Sequence, residues 1–505
     1  MSRRVVDEVQ PVRYGPFVTL LRLDGGLVAL APTQEDHPVH AQHWVNGSAD
    51  SSAPHGVRPV IDPATGTTTG DFPVADSGVV DRAVRAAAAA APGWWALGWE
   101  ERARLLLEVA DRIAAAASDL AVLESREMGK PVAMAREDIE GSVEVVRDAA
   151  RAAGSFFATE SAGGGLRRRP YGVAALITPW NYPVCQVTDF LGCLLAAGNT
   201  VVVKPSEKAP LAVAALGPLL EVLPPGVVSI VLGDGAAGAA LVEHPLVGLV
   251  HFTGSVATGR KVGASAGARL VPCFLELGGK DALVVDRDVD VTAAAEMAAE
   301  GGWVNTGQVC TSVERVYVHT DVADAFLSEL TRQAAHWRFG VGRDPESRMG
   351  PLVDADQRDH VHRQVSEARL AGAEVLIGGE PLPGPGFFYP PTVIVGAPDD
   401  SSLMTEETFG PVIAVRVVES FEDGVRLANT GAYGLTAAAL TNDPGNVEIA
   451  AGLDAGAVTI NGGGDGPEDA PFEPARDSGL GRVRFGPGAL DSFTRPYVVS
   501  IGGSA

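Results

Sequence analysis

Between Arg169 and Gly279 short apolar β-type runs alternate with helical segments, and this alternation constrains the fold more than any other feature of the chain. Val173–Thr178, Thr200–Lys204, Val227–Leu232 and Leu249–Phe252 read as strands. Pro183–Ala197, Leu211–Leu223, Ala236–His244 and Gly259–Ala266 read as the helices between them. Strands joined through helices must run parallel, and such a sheet takes ligands beyond the carboxyl ends of its strands. A second α/β block is expected from about Val284 to Thr441. Val79 to Ala162 has a helical pattern punctuated by Pro92 and Pro131. The 505 residues leave room for two or three domains.

The ends of the chain read differently. Val18–Leu23 and Leu27–Ala31 could form a hairpin around Asp24-Gly25-Gly26 within an extension that reaches about Gln42. Pro496–Ile501 reads as a lone edge strand, which needs a sheet to join and hints at oligomerisation. The net charge of −24 disfavours nucleic acid and anionic membrane as partners. No apolar run reaches the 18 residues of a membrane span. Cys185, Cys193, Cys273 and Cys310 show neither C-x-x-C nor zinc-ligand spacing, so no metal and no disulfide framework is expected. Such thiols suit a reducing, cytoplasmic compartment.

Chemistry concentrates in two glycine-flanked segments. Cys310 ends Asn305-Thr306-Gly307-Gln308-Val309-Cys310, and Glu276 lies in Leu275-Glu276-Leu277-Gly278-Gly279-Lys280. A thiolate attacks carbonyl carbon, and a carboxylate can activate the thiol or the water that later breaks a thioester. For a nucleotide, Gly233-Asp234-Gly235-Ala236-Ala237-Gly238 fits G-x-G-x-x-G but lacks the usual acidic residue downstream. Thr253-Gly254-Ser255-Val256-Ala257-Thr258-Gly259 opens a helix whose amides suit a pyrophosphate. Lys204-Pro205-Ser206-Glu207 sets a cation and a carboxylate at a strand end, where the carboxylate can bond NAD ribose and repel the 2′-phosphate of NADP.

With these segments in view, the chain resembles the aldehyde dehydrogenase superfamily from about His43 to Ile501. The resemblance also rests on Thr178-Pro179-Trp180-Asn181-Tyr182-Pro183, Gly198-Asn199-Thr200 and Glu406-Glu407-Thr408-Phe409-Gly410-Pro411. It implies a Rossmann-type cofactor domain (43–150 and 170–279), an α/β catalytic domain (280–484) and a small β oligomerisation arm (151–169 and 485–505) behind the extension 1–42. It implies NAD-dependent oxidation of a small-molecule aldehyde to an acid, with NADP less favoured, in a homodimer or homotetramer. Cys310 would be the nucleophile, Asn181 with the Cys310 amide the oxyanion holder, and Glu276 the base for hydrolysis. Pro179, Trp180, Lys204, Ser206, Glu207, Gly238, Gly254, Ser255, Gly259, Glu407 and Phe409 would hold the cofactor. Tyr182, Asp189, Val309, Thr311, Gly466 and Phe472 would border the substrate.

Two departures from the family pattern stand out. Asp189-Phe190 replaces the usual Trp-Lys, and Pro471-Phe472-Glu473-Pro474 replaces Pro-Phe-Gly-Gly. Asp189 either faces the substrate and pairs with an ammonium-bearing aldehyde, or is bridged by a protein cation or water. Two other readings stay open: a CoA-acylating enzyme, disfavoured by Glu276, and an inactive NAD-binding structural protein.

Overall fold

The computed structural model describes residues 37–158, 165–462, 472–482 and 488–502, together with the backbone of three strands before residue 37. Those three strands, Val12–Arg13, Thr19–Leu23 and Gly26–Leu30, form an antiparallel meander in which Leu23 pairs with Gly26. The hairpin expected there is present.

The first large sheet has eight strands. Its order is Gly479–Leu480, Cys273–Glu276, Val247–Thr253, Val173–Ile177, Thr200–Lys204, Val228–Ile230, His43–Val45 and Ser48–Asp50. The five strands from Cys273–Glu276 to Val228–Ile230 run parallel, and antiparallel strands close both edges. Val173–Ile177 and Thr200–Lys204 are buried at every position, as β-branched runs covered on both faces should be. The chain order reverses at Val173–Ile177, which lies between the strand that follows it and one formed much later. The crevice beyond its carboxyl end, where Thr178 to Asn181 emerge, is therefore the natural ligand position. One cover is the pair of long helices Gly98–Met128 and Val132–Ala158, with Pro183–Ala196 packed against both.

The second sheet has seven strands in the order Glu374–Ile377, Thr392–Val395, Val412–Val418, Val313–His319, Asp281–Val285, Thr436–Leu440 and Ala457–Ile460. Only Glu374–Ile377 pairs antiparallel. The carboxyl ends of the first sheet meet loops that precede strands of the second.

Three sequence expectations change. Leu211–Leu223 is a short helix, Leu211–Ala215, followed by a 3-10 turn at Gly217–Leu220, since Gly217 and Pro218 break the helical run. Residues 151–158 finish the long helix that starts at Val132 instead of opening an arm, because Ala153 and Phe157 continue its buried stripe. Gly479–Leu480 belongs to the first sheet, although it falls in the 280–484 range expected for the catalytic domain. The C-terminal strand, Thr494–Val499, pairs antiparallel with Gly165–Pro170 of its own chain. Leu166 and Val498 on this ribbon are exposed. Among the described residues no helix is long and apolar enough to cross a membrane.

His251 sits in the centre of the first sheet, fully buried, its ring 3.8 Å from that of Phe190. Neither ring nitrogen has a hydrogen-bond partner among the described residues. Burial pushes its imidazole down to about 3. An unfolded histidine titrates near 6.5, so the unfolded state takes up the proton first and stability falls as pH drops from about 6.5 towards 3. His251→Leu should remove this loss, about 2 kcal/mol between pH 7 and pH 5. Urea unfolding of both proteins at the two pH values checks it, and an equal loss in both contradicts it.

Candidate active site

One cavity of about 680 Å³ gathers Pro179, Trp180, Asn181 and Tyr182 from beyond the switch-point strand, and Thr253 to Ala257 from beyond its neighbour. Its remaining wall includes Glu276, Leu277, Gly278, Cys310, Glu407 and Phe409. A second cavity of about 320 Å³ is lined by Val309, Thr311, Val304 and Met297 among others, and Tyr182 borders both. Cys310 thus stands between two spaces, with its chain neighbours facing the smaller one.

The loop that carries Cys310 is held by unusual backbone. Asn305, Thr306 and Gly307 take φ of 49°, 62° and 67° in succession. At Gly307 a Cβ would lie 2.1 Å from the carbonyl oxygen of Gly410, so only glycine fits. Asn305 and Thr306 pay for the same left-handed conformation with side-chain bonds. Asn305 Nδ2 donates to the carbonyls of Asn181 (3.1 Å) and Gln308 (3.2 Å), and Thr306 Oγ1 donates to Gly350 O (3.0 Å). Asn181 Nδ2 donates to Gln308 O at 2.9 Å. An amide nitrogen has two hydrogens, so a second remains for the cavity.

Glu276 ends its strand, and Gly278 and Gly279 follow because no side chain fits there. A Cβ on Gly278 would lie 2.5 Å from the Glu407 carboxylate, and one on Gly279 would lie 2.5 Å from Cys310 O. Glu407 Oε1 accepts from Gly279 N at 3.1 Å. Burial first, and the nearby Glu314 second, push the Glu407 carboxyl up to about 8, so it holds its proton at neutral pH. Phe409, at φ 50°, sets its ring edge-on to Trp180 at 5.4 Å.

This corner is fastened by a buried ion pair. Lys280 Nζ donates to Glu314 and, at 2.8 Å, to Thr408 Oγ1. The Glu314 carboxylate accepts the backbone amides of Thr408 (2.8 Å) and Phe409 (2.8 Å). Glu314 was not legible as a site residue in the sequence. Its only signal is a charge inside the apolar strand Val313–His319.

The predicted cofactor residues fall into two groups. Pro179, Trp180, Gly254, Ser255, Glu407 and Phe409 line the large cavity. Ser255 caps the helix Val256–Ala268 through Thr258 N, and Gly259 meets Leu277, where a Cβ would come within 2.4 Å. Lys204, Ser206, Glu207 and Gly238 lie outside the cavity. Lys204 Nζ is buried and bonds Pro205 O (2.9 Å) and Glu207 (3.5 Å), with burial lowering its pKa. Gly238 passes this side chain, a Cβ there standing 3.5 Å from Lys204 Cδ. The G-x-G-x-x-G helix has its own cap, Asp234 accepting from Ala236 N, and Asp234 is paired with Arg58.

In the substrate set, Tyr182, Val309 and Thr311 line the smaller cavity, Phe472 lines neither, and Gly466 lies outside the described residues. Asp189 corrects an expectation. It lines neither cavity, is 8 % exposed, and its Oδ1 has no hydrogen-bond partner among the described residues. Burial, helped by Asp138, pushes its carboxyl up to about 8. Asp189 stands away from both cavities instead of bordering the substrate. Two residues beyond the other departure, Arg476 adopts φ 53° and directs its guanidinium to the carbonyls of Asn429, Gly431 and Asp454. Ser478 Oγ then donates to Gly278 O at 2.8 Å and accepts from Gly434 N at 2.9 Å.

A model of the aldehyde dehydrogenase family matches residues 50–499. The chain belongs to that family. This aldehyde dehydrogenase is 37 % identical over 475 residues to the 3,6-anhydro-alpha-L-galactose dehydrogenase of Streptomyces coelicolor, covering 91 % of this chain and 96 % of that one. It is 36 % identical over 476 residues to a betaine aldehyde dehydrogenase of Cereibacter sphaeroides, covering 92 % and 97 %. Among solved structures, the NAD+ complex of an aldehyde dehydrogenase from Bacillus cereus matches with a TM-score of 0.87 and 34 % identity, covering 91 % of this chain and 96 % of that one. Lactaldehyde dehydrogenase from Escherichia coli matches with a TM-score of 0.87 and 30 % identity, covering 92 % and 99 %.

The ion pair in this aldehyde dehydrogenase yields a test. Lys280 and Glu314 are 2 % and 3 % exposed, and removing one charge strands the other. Glu314→Gln should cost about 3–5 kcal/mol in urea unfolding. It should also speed hydrogen exchange at the amides of Thr408 and Phe409, and unchanged exchange there would show that the pair does not hold the loop.

Proposed function

We propose that this enzyme oxidises an aldehyde to a carboxylic acid through Cys310, with NAD as acceptor. The observation that carries the reading is the single cavity that holds a cysteine, a glutamate and an asparagine amide together with a helix N-terminus. The Cys310 thiol, once deprotonated, attacks the aldehyde carbon to give a thiohemiacetal. The second N–H of Asn181 and the Cys310 amide stabilise its oxyanion, a donor of this kind contributing about 3 kcal/mol. Loss of a hydride from the thiohemiacetal carbon to the nicotinamide acceptor would leave a thioester; Glu276 takes a proton from water, which attacks that thioester, releases the acid and restores the thiol.

The residues present fit NAD, which when bound supplies a hydride acceptor. The amides opening Val256–Ala268 suit its pyrophosphate, and no acidic residue in that first turn opposes the charge. Lys204 and Glu207 suit the adenosine ribose, and the protonated Glu407 with Phe409 suits the nicotinamide end. Glu276 supports hydrolysis by water over transfer to CoA. We further propose that the exposed ribbon of Gly165–Pro170 and Thr494–Val499 joins another copy of the chain in a dimer or tetramer, and that the protein works in a reducing compartment, in keeping with four cysteines and no disulfide.

Cys310→Ser should abolish NADH formation from aldehydes without CoA while NAD still binds by fluorescence titration. Activity surviving in Cys310→Ser, or a strict requirement for CoA in the unmodified enzyme, would reject the route. The Glu207 carboxylate should favour NAD over NADP, and Glu207→Ser should narrow the ratio of kcat/KM values about tenfold, one missing charge repulsion of about 1.4 kcal/mol. Equal use of both cofactors by the unmodified enzyme would refute this assignment.

A further inference from the structure

Lys130 lies in the turn between the two long helices and has no place in the chemistry above. Its ammonium is buried, with none of the side chain exposed. A buried ammonium needs partners, and Lys130 has two among the described residues. Nζ donates to Asp138 Oδ2 at 2.7 Å, and it stands 3.4 Å from the centre of the Tyr182 ring, well within cation–π range.

The turn that delivers it is closely fitted. Gly129 caps the helix Gly98–Met128 at φ 88°. A Cβ on Gly350 would lie 1.9 Å from Gly129 O, and one on Gly342 would lie 2.5 Å from Lys130 O. Val132 N donates to Gly342 O at 2.9 Å. The loop 342–350 of the second block thus fixes where Lys130 stands. Nearby, the buried Glu124 accepts from Val184 N at 2.9 Å, in the first turn of the helix that follows Asn181 and Tyr182. The short stretch from Asn181 to Val184 is consequently held at three points: by the Asn305–Gln308 loop, by Glu124, and by Lys130.

We infer that Lys130 is a positioning residue, whose ammonium pins the Tyr182 ring as the partition between the cavity that holds Cys310 and Glu276 and the smaller cavity bordered by Val309 and Thr311. A tyrosine ring turns about two side-chain bonds, and a cation fixed over one face selects one orientation. An ordered ring fixes the wall past which the aldehyde approaches the thiol. Among the described residues no hydrogen bond, ion pair or ring contact joins the ammonium to the cofactor wall formed by Thr253 to Ala257, Glu407 and Phe409.

The inference rests on the Cys310 route proposed above. NADH formation by the unmodified enzyme tests that route, and the variants test Lys130. Lys130→Met keeps the stem and removes the charge. It should lower kcat/KM for an aldehyde 10- to 100-fold while the NAD dissociation constant, read by fluorescence titration, stays within twofold. Lys130→Arg, which keeps a cation over the ring, should recover most of the loss. Tyr182→Leu removes the ring, and in that background Lys130→Met should cost less than threefold more. Three results would overturn the inference: full kcat/KM in Lys130→Met, multiplying losses in the double variant, or failure of Lys130→Arg to recover activity while still folded by circular dichroism. Should Lys130→Met not fold, the comparison of Lys130→Arg with and without Tyr182→Leu decides, since the small residual loss in Lys130→Arg must vanish when the ring is gone.

Discussion

The carbonyl oxygen of Gln308 receives two side-chain amides, one from each α/β block. Asn181 reaches it from the loop beyond the first sheet and Asn305 from the loop beneath the second. With that oxygen shared, the thiol-bearing loop and the loop of the oxyanion donor cannot shift independently. The left-handed run from Asn305 to Gly307 exists to aim this carbonyl, and strain of that kind survives only where surrounding bonds over-determine it. Gln308 adds to the over-determination, its Nε2 returning to Asn305 O and its Oε1 accepting from Val353 N.

Several buried ionisable groups of this protein are either paired or pushed towards the neutral form, and the two solutions have different uses. Lys280 with Glu314, and Lys130 with Asp138, form ion pairs that hold loops in place. Glu407, Asp189 and Glu124 are pushed towards the neutral form by burial. A carboxyl that keeps its proton is a donor as well as an acceptor, which suits Glu407 to a sugar hydroxyl far better than a second full negative charge beside Glu276 would.

Much of this was legible in the sequence, for identifiable reasons. Thr200–Lys204 and Pro183–Ala196 followed from uninterrupted β-branched residues and from a proline at the helix start. Cys310 and Glu276 stand out in the sequence because their glycine-bearing flanks mark close backbone approaches, and Gly307, Gly278 and Gly279 each face a neighbour that excludes a Cβ, whereas Asn181 has no glycine beside it and came only from the family resemblance. The place of Asp189 was not legible because its position in the sequence, after the family's oxyanion residue, does not say what packs against that helix. Here the helix Val132–Ala158 brings Asp138 towards it and covers it. Glu314 and Lys130 escape sequence reading because their partners lie on other elements, and a lone charge in the strand Val313–His319 does not say what it pairs with.

Ser478 and the short strand after it clasp the segment that carries Glu276, with Ser478 O accepting from Leu277 N and Leu275 pairing with Leu480. This has a consequence for biosynthesis. The strand Cys273–Glu276 leaves the ribosome some two hundred residues before the edge strand that completes it. During that interval it presents an unpaired edge to the cell, a hazard that long-range pairing brings with it. The first sheet, although built mainly from the earlier half of the chain, is therefore among the last parts of the molecule to be sealed, and a nascent chain has no finished active site until translation is almost over.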